Sequence, residues 1–97
     1  MDLSQMESSL DDETPPSELS VPLQALWHDA NGNWEKAHEL ADNHGGSVGA
    51  WVHAYLHRKE GDLSNASYWY NRADKEMPDH DLQTEWRNIA EDLLSRS

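Results

Sequence analysis

Ninety-seven residues make one domain at most, and a chain this short buries only about two thirds of the surface its unfolded form exposes. Nineteen acidic residues against seven basic ones give a formal charge of -12. That balance disfavours nucleic acid and anionic membranes, which are held by Lys and Arg. There is no cysteine, so disulfides, thiolate metal ligands and thiol nucleophiles are excluded. The acidic start MDLSQMESSLDDE is unlike a secretory signal and no apolar run is long enough to span a membrane, so a soluble, cytoplasmic protein is expected.

Residues 1–20 carry six acids, no base, several serines and the pair Pro15-Pro16. The segment reads as a disordered acidic tail whose removal leaves the rest intact, because it has too little apolar surface to offset the entropy of ordering. A helical domain is expected over 21–97. Ser20 and Pro22 suit the start of a first helix with Leu23, Leu26, Trp27 and Ala30 at helical spacing, ending at Asn31-Gly32. A second helix runs from Asn33 to about Asn43 with Trp34, Ala37, Leu40 and Ala41 on one face. Ser47 is the expected cap of a third helix ending at Glu60. A fourth starts near Asp62 and is expected to reach Met77-Pro78, where proline forbids continuation. Asp79 or Asp81 caps a fifth, with Leu82, Trp86, Ile89, Ala90 and Leu93 as its apolar stripe. No stretch alternates with a period of two. The fold class is therefore all-α, about five short helices joined as antiparallel hairpins.

The chain also repeats itself. NGNWEKAHELA at 31–41 and EGDLSNASYWY at 60–70 superpose at an offset of 29, with Gly32 on Gly61, Trp34 on Leu63 and Ala37 on Ala66. Ala54, Gly61, Ala66, Tyr70, Ala73 and Pro78 fall at the spacing of a tetratricopeptide repeat, and the segment 47–78 resembles that family. Small residues at Ala54, Ala66 and Ala73 let two helices approach closely while Tyr70 fills the gap beside them. Residues 22–45 are similar to a degenerate first repeat, with Ala41 in place of the aromatic and no closing proline. The resemblance implies a short α-solenoid of two hairpins with the fifth helix as its cap.

The same resemblance implies a non-enzymatic interaction module that binds a peptide or partner protein on the groove face of its first helices. Val48, Trp51, Tyr55, Arg58 and Lys59 would line that groove, with aromatic rings beside two cations for an apolar anchor or a carboxylate. Five tryptophans and the open end of a two-hairpin array make a homodimer a further expectation. A metal site is the alternative. His53 and His57 stand four apart on one helix face, and the repeat offset places His28 at the position equivalent to His57. The competing expectation is that these imidazoles are packed, hydrogen-bonded core residues. No nucleophile motif or glycine-rich phosphate loop is present, and no organic cofactor is expected.

Overall fold

The computed structural model describes residues 1–96 and is all-helical among them: α1 (Leu3–Ser9), α2 (Val21–Ala30), α3 (Trp34–Asp42), α4 (Gly46–Glu60), α5 (Leu63–Arg72) and α6 (Leu82–Ser95). Local chemistry fixes most of the boundaries. Asn33, Asp62 and Asp81 cap α3, α5 and α6 by accepting hydrogen bonds from the backbone N–H groups of Lys36, Asn65 and Thr84. Gly61 ends α4 at φ 90°, a left-handed conformation that costs glycine nothing.

Two hairpins, α2 with α3 and α4 with α5, make the closest helix pairs, and α3 lies against α4 to join them. The main core lies between α2, α3, α4 and α6, with Leu23, Leu26, Val52, Leu56 and Ile89 almost fully buried. A smaller cluster of Ala54, Ala66 and Tyr70 sits between α4 and α5, where the two alanines let the backbones approach.

Three boundary expectations are corrected. The acidic segment is not a free tail: Asp2 and Gln5 form a reciprocal capping box on α1, and Met6 and Leu19 are buried in the main core. Two apolar anchors, together with Trp27 Nε1 donating to Ser9 Oγ at 3.2 Å, Gln24 donating to the Leu19 carbonyl and Arg87 pairing with Glu7, hold a segment that composition alone reads as too polar to order. The cap of α4 is Gly45, not Ser47, and it offers no side-chain acceptor. Close approach governs this joint, since a methyl group on Gly49 would stand 1.9 Å from the carbonyl oxygen of His44. Finally, α5 stops at Arg72, five residues before Met77, because Asp74 adopts φ 58° and turns the chain.

The sixth helix takes a place that the sequence leaves open. It packs against both α2 and α4, with Trp86 Nε1 donating to the Leu26 carbonyl at 2.9 Å. It therefore covers the face of α4 on which an open groove was expected.

Candidate functional site

Contacts from α2, from α6 and from the segment between α5 and α6 decide the state of the expected groove residues. Tyr55 is buried and donates its hydroxyl hydrogen to Asp29 Oδ2 at 3.0 Å, while Lys59 Nζ lies 2.9 Å from Asp29 Oδ1. Arg58 donates to Glu85 Oε1 at 2.8 Å and to the His80 carbonyl, and Tyr70 donates its hydroxyl to the other Glu85 oxygen. Trp51 is half-buried, with the Lys75 ammonium 4.3 Å above its ring. Val48 packs at the edge of the main core. These five residues do not form one open surface. Tyr55 and Lys59 alone of the five line a cleft of about 400 Å3, together with Leu10, Asp29, Leu82 and Trp86.

The histidines come together differently from the sequence expectation. His53 and His57, one turn apart on α4, meet His38 from α3, and one nitrogen from each ring lies within 4.8 Å of the others. His53 Nε2 and His38 Nε2 are 2.8 Å apart. His57 Nδ1 lies 2.6 Å from Glu60 Oε1, and its Nε2 faces the Asn65 amide at 3.4 Å. His28 is not part of this group. It sits on α2 with its ring edge-on to Trp27 at 5.2 Å, and burial together with the Lys36 charge lowers its pKa.

Two tryptophans fix the rings. Trp34 stacks on His38 with centroids 4.9 Å apart, and Trp69 stacks on His53 at 3.9 Å and an interplanar angle of 15°. His53 and His57 are buried and His38 is half-buried. Burial, reinforced by the neighbouring His38 and His57, lowers the His53 pKa to about 4, so this ring is a neutral imidazole at neutral pH.

Neutral imidazoles with converging nitrogens are the donor set that zinc, copper and nickel favour. Glu60 supplies what such sites need at their outer edge. A carboxylate accepting from His57 Nδ1–H fixes the tautomer of the neutral ring, leaves the lone pair on Nε2 and raises its basicity. Among the described residues His57, Glu60 and Asp62 also form a second group of converging ligand atoms, but Asp62 is already the cap of α5. His38 was missed because the repeat offset directs attention to equivalent helices. A usable signal was its i, i+4 relation to Trp34, which places it on the apolar stripe of α3.

The chain matches no protein-family model, no curated protein and no solved structure.

Proposed function

We propose that this chain is a small all-α metal-binding domain of the cytoplasm, which holds one transition-metal ion between its two hairpins through His38, His53 and His57. The observation that carries the reading is the convergence of three imidazole nitrogens within 4.8 Å, from two helices, with a carboxylate on Nδ1 of the His57 ring. The chemistry favours zinc, copper(II) or nickel, for which neutral imidazole is a good ligand, over magnesium or calcium, which take oxygen.

Calorimetry with zinc at pH 7.5 tests it. One ion per chain is expected, with binding weakened at least tenfold in His38→Gln and His53→Gln and unchanged in His28→Gln. Absence of metal heat in the wild type, or equal binding by all three variants, overturns the reading.

A second reading, the peptide-binding tetratricopeptide-like module, is supported by the cleft beside Tyr55 and Lys59, whose walls include Leu10, Leu82 and Trp86. In that reading an apolar side chain enters between α1 and α6 while an acidic group meets Lys59. A photo-crosslinking residue at Gln83 on the cleft wall should then capture one discrete protein partner in cells, and capture should fall on Lys59→Glu. Labelling that does not depend on Lys59 would count against it.

A further inference from the structure

His57 enters the cluster with its proton already assigned by its neighbours. The Glu60 carboxylate accepts and does not donate, so Nδ1 carries a hydrogen, and in the neutral ring Nε2 holds the lone pair. Asn65, in the first turn of α5, directs its side-chain amide at that lone pair, with Nδ2 3.4 Å from His57 Nε2. Asn65 is half-buried, and His57 is the one hydrogen-bond partner of its amide among the described residues.

Two separations in the cluster can be set against the edges of a coordination sphere. Four ligands at about 2.0–2.1 Å from a tetrahedral ion stand about 3.3 Å from one another. The His57–Asn65 separation of 3.4 Å already equals such an edge, and the His38–His53 separation of 2.8 Å is about half an ångström short of it. A half-turn of the Asn65 amide exchanges Nδ2 for Oδ1, which is of almost the same size and presents lone pairs where the nitrogen presented hydrogens.

We propose, on the footing of the metal reading above, that Asn65 Oδ1 is the fourth ligand, closing a three-histidine, one-amide site that spans α3, α4 and α5. A closed sphere holds its ion without an exchangeable water, in the manner of structural sites and unlike catalytic ones, which keep a position open. The site then ties the second hairpin to the first through three helices. The amide oxygen, a neutral and weaker donor than a carboxylate, keeps the affinity below that of a fully charged sphere.

The experiment uses the full chain loaded with cobalt(II), which accepts the tetrahedral geometry of zinc and colours the site, read by metal titration and by the change in visible spectrum on adding azide. The wild type should keep its spectrum in azide, since no position is open. Asn65→Ala should bind roughly tenfold more weakly and change its spectrum with azide, because the anion displaces the water in the vacated position, while Asn65→Asp should bind tighter than the wild type and again ignore azide. Circular dichroism melts on both variants check that α5 is intact. If the wild type binds cobalt through its histidines but already responds to azide as Asn65→Ala does, the closed sphere is wrong and the metal reading survives. If the wild type binds no cobalt and no zinc, the metal reading fails and this inference fails with it.

Discussion

His38 and His53 meet through their Nε2 atoms at 2.8 Å, a bond between residues fifteen positions apart that joins α3 to α4. One of the two rings must carry its hydrogen on Nε2 for that bond to exist. Placing an ion there asks for little: the donor ring shifts its proton to Nδ1, and the two nitrogens separate by about half an ångström to the edge length of a tetrahedral site. His53 does not have to lose a charge first, because burial in the company of two other imidazoles lowers its pKa to about 4. Trp34 and Trp69, stacked on His38 and His53, restrict the rotation of both rings.

The N-terminal helix gives the first prediction. Met6 is fully buried in the main core, and Glu7 pairs with Arg87 of α6 at 3.2 Å. The exposed ion pair contributes at most about 1 kcal/mol, so the methionine carries the attachment. Met6→Ala should cost about 2–5 kcal/mol in urea denaturation, through lost burial and the cavity left behind. Removal of residues 1–18 should cost more than about 2 kcal/mol, since Met6 goes with it. Unchanged midpoints in both would show that α1 is not part of the cooperative fold.

Arg58 gives the second. Its guanidinium and the Tyr70 hydroxyl are the two donors to the buried Glu85 carboxylate. Arg58→Ala should destabilise by about 3 kcal/mol, because a buried carboxylate loses its compensating charge. Adding Glu85→Gln should recover most of the loss, since a neutral amide still accepts from Tyr70. A strictly additive double-mutant cycle would contradict the coupling.

The third concerns alkaline pH. Burial, and then Asp29, hold the Tyr55 phenol protonated well above the usual tyrosine range; burial, and then the hydrogen bond to Glu85, do the same for Tyr70. A raised folded-state pKa contributes stability that is complete below about pH 10, where unfolded tyrosine is also protonated, and that is lost as pH rises beyond it. Stability should therefore fall from about pH 10 upward, and the fall should be shallower in Tyr70→Phe. In the wild type, the tyrosinate absorbance of two of the three tyrosines should rise together with the loss of helicity. Full ionisation of all three while the helices persist would contradict this.

The parts of the fold legible in the sequence are those set by local rules. The stripe Leu82, Trp86, Ile89 and Leu93 marks α6, and Asp62 and Asp81 mark helix starts, because periodicity and capping act within a few residues. Where a stripe docks is a different matter. The apolar face of α6 is obvious, but its seat on α2 and α4 depends on Trp86 finding the Leu26 carbonyl 60 positions away, and no local pattern encodes that. For the N-terminal segment, the buried side chains of Met6 and Leu19 and an indole N–H seeking an acceptor outweigh an acidic composition that predicts disorder. The histidines show the same division. His53 and His57 follow from helical spacing; the repeat suggested His28 as the third, whereas the packing of α3 on α4 brings in His38.

The claim that His38, His53 and His57 hold one metal ion is tested most directly by diffraction from crystals grown with zinc, recorded on both sides of the zinc absorption edge. The account predicts one strong anomalous peak about 2.1 Å from a ring nitrogen of each of the three histidines, with the direct His38–His53 hydrogen bond gone. Zinc found only at surface carboxylates, with His38 and His53 still bonded to each other, would contradict it.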